Sequence, residues 1–390
     1  MKYIDEFRDG TIAIGLSKKI ANLMDGHNEI TIMEVCGSHT MSIYRYGLKK
    51  LLPSNIRLLS GPGCPVCVTS VNYIDTAIAI SQNTSASSNS GHDVLITTFG
   101  DMMRVPGSSS SLEKERAKGA SVAVVYSTLD ALHLAEKHPN KKVVFLAIGF
   151  ETTAPTIAAS VIEAERRGLK NYFVLTAHKI MPPVMKALLT DKELNLDGFL
   201  CPAHVSTIIG SRPYEFIARD FHIPCVIAGF EPLDILQGIY MLLEQIVKKE
   251  ARVQIEYSRV AKREGNPTAL ALLDKVFEPC DVEWRGLGLI PGSGFKLRSR
   301  YEKFDAHTVF RISDFVVSAQ SNDFGFQINS AICNPQSAIN GCICGDILRG
   351  VKLPADCKFF GKVCNPEHPV GACMVSSEGT CAAWYKYGEN

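Results

Sequence analysis

Short apolar runs rich in β-branched residues recur along the chain. Each ends in a glycine-rich or polar turn, and a helix-period pattern follows. The runs cover 30–35, 56–59, 94–98, 122–126, 143–148, 172–176, 198–201 and 225–228. Strands alternating with helices imply parallel sheets covered on both faces. Eight such units suit one (β/α)8 barrel or two doubly wound lobes. The second four are evenly spaced, whereas a polar Ser/Asn-rich insertion at 81–90 interrupts the first four. Two lobes of four strands are therefore expected, with the insertion as a solvated loop. Ahead of them, Ile14, Leu16, Ile20, Leu23 and Met24 stand at helical spacing and predict an amphipathic helix within 1–28. A strong helical pattern over 233–249 leads out of the second lobe. Residues 251–330 are mixed, and a cysteine-dense tail begins near 331. The reading is an α/β chain of two Rossmann-like, doubly wound parallel-sheet lobes, 29–140 and 141–250. A third, cysteine-rich domain is formed from 1–28 and 251–390.

Composition narrows the function classes. At 46% hydrophobic and 21% charged residues the chain matches ordinary globular proteins. A net charge of +1, with no basic stretch interleaved with aromatics, argues against nucleic acid as a partner. No apolar run approaches membrane-spanning length, and residues 1–8 lack a signal-peptide core, so no membrane and a cytoplasmic location are expected. Thirteen cysteines in that compartment indicate metal or thiol chemistry, not a disulfide framework. No G-x-G-x-x-G follows a strand and no Gly-Lys-Ser/Thr ends a glycine loop, so nucleotide binding gains no support.

In parallel α/β sheets ligands bind beyond the carboxyl ends of the strands, so the turn after each run is informative. The turn after the second run, Gly61-Pro62-Gly63-Cys64-Pro65-Val66-Cys67, holds a Cys-x-x-Cys pair. Such a pair closes within its own loop and depresses one thiol's pKa, which is redox or metal chemistry. Half of a structural zinc site is the plainer reading, but the next cysteine, Cys201, is unpaired. Cys36 and His39 form a Cys-x-x-His pair at the first strand's end, suited to a soft or borderline metal, against an inert buried cysteine. His178 and His204 stand at later strand ends as crevice groups or as core histidines. Glu151 and Glu231 each follow Gly-Phe, where helix capping is the simpler role. Seven cysteines lie in the tail, and Cys342, Cys357, Cys364 and Cys381 give the spacing C-x14-C-x6-C-x16-C. Zinc knuckles favour close pairs, whereas a 4Fe–4S cube accepts wide spacing, so iron–sulfur is preferred over zinc. Spacing leaves open whether Cys333, Cys344 or Cys373 replaces one of the four.

Taken together these blocks resemble the HypD family of hydrogenase maturation proteins. The likeness rests on Glu34-Val35-Cys36-Gly37-Ser38-His39-Thr40, on the Gly61 to Cys67 loop and on Thr98-Phe99-Gly100-Asp101-Met102-Met103-Arg104-Val105-Pro106-Gly107. It continues through 149–155, Pro202-Ala203-His204-Val205-Ser206 and the tail block 371–379. The insertion at 81–90 is the one stretch outside the family's pattern. The resemblance implies two Rossmann-like lobes, a domain with a 4Fe–4S cluster, and a role in building the Fe(CN)2CO group of nickel–iron hydrogenases. It implies a HypC-type small chaperone and a HypE-type cyanide donor as partners. By position, Cys36 would hold a transient iron carrying CN and CO ligands. Cys64 and Cys67 would be the redox pair with His39 beside them, and Cys342, Cys357, Cys364 and Cys381 the cluster ligands. A cluster-linked dithiol/disulfide oxidoreductase is the alternative, and it leaves Cys36 and His39 without a purpose.

Overall fold

The computed structural model describes residues 5–82, 93–310 and 341–388. Most of the Ser/Asn insertion, and Cys333, lie outside them. All eight expected strands form, each within a few residues of its predicted range: β1 (Ile30–Glu34), β2 (Ile56–Ser60), β3 (Asp93–Thr98), β4 (Val122–Val124), β5 (Lys141–Ala147), β6 (Tyr172–Thr176), β7 (Gly198–Pro202) and β8 (Cys225–Ala228). Three more were not expected: β9 (Val253–Ile255) and the antiparallel pair β10 (Phe277–Trp284) and β11 (Gly288–Leu297).

The grouping differs from the contiguous lobes. One sheet runs β2-β1-β7-β8-β9 and the other β4-β3-β5-β6, both parallel throughout. The chain leaves the first sheet after β2, builds the second, and returns. The compact units are accordingly 1–67 with 181–270 and 341–390, and 68–180 with 271–340. The boundaries 29–140 and 141–250 cut across both sheets, because local periodicity carries no information on which strands pair. Nor is the cysteine tail a unit apart: it belongs with the first sheet.

In the first unit, helix α1 (Gly10–Met24) starts where Asp9 accepts the amides of Thr11 and Ile12 at 2.7 and 3.1 Å, a side-chain N-cap. Its buried stripe is Ala13, Leu16, Ile20 and Met24, packed with Ile32, Leu200, Val226 and the helix Pro232–Val247. Ile14 is 53% exposed, one position off the stripe. This helix therefore covers a face of the first sheet instead of joining the tail in a third domain. On the tail, Arg349 holds Asp191 at 2.8 Å, Glu193 at 3.1 Å and Asp346 at 3.0 Å, fastening 341–390 to the segment after the helix Met181–Leu189.

In the second unit, the β10–β11 hairpin packs on the end of β6. Ile180 donates to Ser293 O at 2.8 Å and the Lys179 ammonium to Glu283 O at 2.7 Å. Trp284 is fully buried, its indole N–H on Ser293 Oγ at 2.8 Å. No helix among the described residues is long and apolar enough to cross a membrane.

Candidate functional site

In the first sheet the connection from β1 runs outward to β2, while β7 continues the other way to β8 and β9. The strand order thus reverses between β1 and β7, the place beyond whose carboxyl ends ligands bind in sheets of this kind. Cys36 stands just past β1 there, and Ala203-His204 follows Pro202, the last residue of β7. Val35 N–H donates to Leu200 O, which holds the two strand ends side by side.

Cys36 is the extended N-cap residue of helix α2 (Gly37–Arg45). Its amide donates to Glu34 Oε2 at 3.1 Å, and Thr40 Oγ1 donates to the other oxygen of that carboxylate. Glu34 is 2% exposed, and burial pushes its carboxyl up to about 8. Burial, then the charge of Glu378, push the Cys36 thiol up to about 12, against the amides of Ser38 and His39, which favour the thiolate. A bound cation reverses that balance, because metal binding displaces the thiol proton.

The Cys-x-x-Cys loop lies directly on this turn. Gly61 N–H donates to Glu34 O at 2.7 Å, and Gly37 N–H to Gly63 O at 3.1 Å. A Cβ placed on Gly63 would stand 2.3 Å from the Cys36 nitrogen, so only glycine permits the approach. Cys64 and Cys67 are joined as a disulfide with Cα atoms 5.3 Å apart, and the Cys67 amide donates to Cys64 Sγ at 3.2 Å. Both cysteines are buried.

His39 is fully buried, and its Nε2 donates to Ala228 O and Gly229 O, each at 3.0 Å. Nδ1 then carries the lone pair and has no partner. Burial lowers its pKa to about 4, so the ring is neutral at physiological pH. Its ring packs on Phe230 at 4.8 Å, and His204 packs on the same Phe230 at 4.1 Å. His204 stands with His39 at the β1/β7 reversal; His178 does not. His178 is fully buried in the second unit against Phe277 and Phe295, with neither ring nitrogen bonded. Burial first, then Lys179, lower its pKa to about 3. Below its unfolded value, near 6.5, the unfolded chain takes a proton that the folded chain refuses. Its contribution to stability is therefore present above pH 6.5 and lost as pH falls toward 3. Urea unfolding of His178→Phe between pH 7 and pH 4 should show a shallower acid decline than the parent; parallel declines would refute the assignment. As for the two glutamates, Glu231 is the N-cap of the helix Pro232–Val247, whereas Glu151 precedes the cap Thr153 of the helix Ala154–Arg166.

The tail supplies the third sulfur segment. Cys342, Cys357, Cys364 and Cys381 line one pocket together with Cys344 and Cys373. Val370 N–H donates to Cys364 Sγ at 3.3 Å, and the neighbouring Cys344 and Cys381, with burial, push the Cys373 thiol up. A Cβ on Gly371 would lie 2.8 Å from Cys342 Sγ, so this glycine keeps the space open. Among the described residues no three His, Cys, Asp or Glu side chains already form a closed metal-binding set. Six thiols as the pocket's only ionisable side chains among apolar neighbours, an amide aimed at sulfur and a cradle kept clear by glycine fit an iron–sulfur cluster better than a mixed-donor ion.

The tail also reaches Cys36. Ser38 Oγ donates to Glu378 Oε1 at 2.7 Å, and a Cβ on Gly37 would meet Glu378 Cβ at 2.5 Å. Helix α2 packs on the helix Thr380–Tyr387, with the Tyr44 and Trp384 rings 5.6 Å apart; Cys381 is the second residue of that helix. Glu34 and Glu378 were missed as site residues by sequence reasoning. Both lie within blocks that carried the resemblance, the only signal pointing to them.

A family model named HypD, described as the hydrogenase formation hypA family, matches residues 11–388. Curated relatives align along nearly their whole length. Hydrogenase maturation factor HypD2 of Bradyrhizobium diazoefficiens is 46% identical, covering 100% of this chain and 97% of its own. HypD of Azotobacter vinelandii is 45% identical, with coverages of 100% and 97%. HypD of Cupriavidus necator is 43% identical, again with 100% and 97%.

Proposed function

The chain belongs to the HypD family of hydrogenase formation proteins, and from that premise we propose that it is a scaffold on which the Fe(CN)2CO group of nickel–iron hydrogenases is assembled. The observation that carries this reading is the meeting, within one unit, of Cys36, the Cys64–Cys67 loop and the six-cysteine pocket. In this reading Cys36 anchors the iron being built, with a HypC-type chaperone supplying a second ligand and a HypE-type protein delivering cyanide as a thiocyanate.

Two electrons are needed to free cyanide from a thiocyanate, R–SCN + 2e− → RS− + CN−. The Cys64/Cys67 dithiol provides both as it closes, releasing two protons. Cyanide then passes to the iron, and closure leaves the disulfide. A 4Fe–4S cluster, held by Cys342, Cys357, Cys364 and Cys381 with Cys344 and Cys373 beside them, supplies single electrons when bound. Gly63 keeps the dithiol loop on the Cys36 turn, and the Glu34 carboxylate fixes the Cys36 amide. His39, neutral and pinned to the β8 carbonyls, serves as a rigid wall carrying one free lone pair, not as an acid.

Chain purified without oxygen is expected to carry about four iron and about four sulfide. A Cys357→Ser/Cys364→Ser variant is expected to lose both. In a strain lacking the native gene, that variant should leave hydrogenase immature. One zinc without sulfide, or full maturation by the variant, would reject the cluster.

A further inference from the structure

Reopening the Cys64–Cys67 disulfide takes two electrons and two protons, RSSR + 2e− + 2H+ → 2 RSH, and the sequence has no dinucleotide fingerprint to bring a hydride donor. The electrons must come from another molecule, and the surface around the six-cysteine pocket has a marked character. One wall of the pocket is the turn Phe359-Phe360-Gly361-Lys362-Val363-Cys364, closed by Gly361 N–H on Cys364 O and Cys364 N–H on Phe359 O. The turn presents Val363, 59% exposed, to solvent. Tyr385, 44% exposed, packs edge-on against Phe360 at 6.1 Å.

Lysines surround this apolar centre. Lys358 and Lys362 are exposed on the turn, and Lys386 is exposed next to Tyr385. A neighbouring pocket, which shares Ile347 with the first, is lined by Lys49 and Lys352. Among the described residues none of these five ammonium groups has a carboxylate within salt-bridge distance. The acids of the tail among the described residues are differently engaged. Asp346 holds Arg349, Glu378 receives Ser38, and Asp356 accepts the Leu353 amide; Glu367 is exposed. An apolar centre with an uncompensated basic rim is the complement of an acidic surface, and such charge speeds association, and through it raises affinity, in a salt-dependent way.

We propose that this face is the docking site of a small, acidic, one-electron carrier protein, which delivers one electron per encounter and meets the chain twice for each disulfide opened. Apolar contact falls on Val363 and Tyr385, and Lys358, Lys362 and Lys386 steer the approach. This rests on the cluster reading of the pocket, and the experiment separates the two.

Full-length chain is purified without oxygen and its iron and sulfide are assayed. Its affinity for an oxidised, acidic ferredoxin carrying one 2Fe–2S cluster is then measured by calorimetry at about 20 mM and about 300 mM salt. Parent protein should weaken at least about tenfold at the higher salt. Lys358→Glu/Lys362→Glu should lose about tenfold or more at low salt, whereas Lys18→Glu/Lys19→Glu on α1 should change less than about twofold. Reduction by methyl viologen, a small cation that needs no docking, should be equal in parent and variant. Cluster-bearing protein whose affinity ignores both salt and the Lys358/Lys362 reversal would overturn the docking surface alone. Protein without iron and sulfide that still binds ferredoxin in this charge-dependent way would support the surface and overturn the cluster.

Discussion

Replacing Cys36 with alanine is expected to abolish hydrogenase maturation while leaving the fold intact. Chain purified together with a HypC-type chaperone should show infrared bands of iron-bound CN and CO, and the variant should show none. The expectation follows from position. Cys36 stands just past the end of β1 at the reversal between β1 and β7, and the dithiol loop, Glu378 and helix α2 all meet its turn. Loss of one sulfur atom from an N-cap that makes no side-chain cap bond costs little stability, within about 1 kcal/mol. Melting should thus move by a few degrees at most, and any iron and sulfide held by the tail cysteines should stay. Undiminished CN and CO bands in the variant would exclude Cys36 as the anchor. If the isolated chain instead reduced disulfide substrates as fast without Cys36 as with it, the dithiol/disulfide oxidoreductase reading would take precedence.

Gly63→Ala should be nearly as damaging, for a different reason. The added methyl would stand 2.3 Å from the Cys36 nitrogen and 2.4 Å from its Cα. Both are backbone atoms that no rotamer change can move aside. Either the Gly61 to Cys67 loop lifts from the β1 turn, breaking the Gly37-to-Gly63 hydrogen bond, or the Cys36 turn shifts. Overpacking of this kind costs about 1–3 kcal/mol, occasionally more, and misplaces both reactive sulfur segments together. Maturation should drop to near background, with a melting temperature several degrees lower. Gly15→Ala in α1, where nothing lies within 4 Å of the added methyl, is the matched control and should be neutral or stabilising. Normal maturation by Gly63→Ala would show that the close approach of loop and turn is not required.

The site was legible in proportion to how local its chemistry is. Cys64 and Cys67 are three residues apart and declare themselves. Cys36 stands out through its place at the end of a β-branched run. Glu378 had no such signal, because its importance lies in touching Gly37 and Ser38 from more than three hundred positions away. Glu34 reads as an unremarked strand residue until its carboxylate is seen to hold Cys36 N–H and Thr40 Oγ1. His178 and His204 looked alike in sequence, and surroundings separated them: two phenylalanines of a distant hairpin enclose one, while the other shares Phe230 with His39.

Periodicity and turn chemistry alone determined the eight strands, the parallel α/β class and the sulfur-bearing segments, because each of these is written within a dozen neighbouring residues. Pairing decided the rest. Whether β1 and β2 lie beside β3 or beside β7 depends on hydrogen bonds between stretches more than a hundred residues apart, and both arrangements bury equally apolar strands. Only the fold chose β7. The tail lies with that sheet, and Glu378 meets Gly37 and Ser38 in the turn after Cys36.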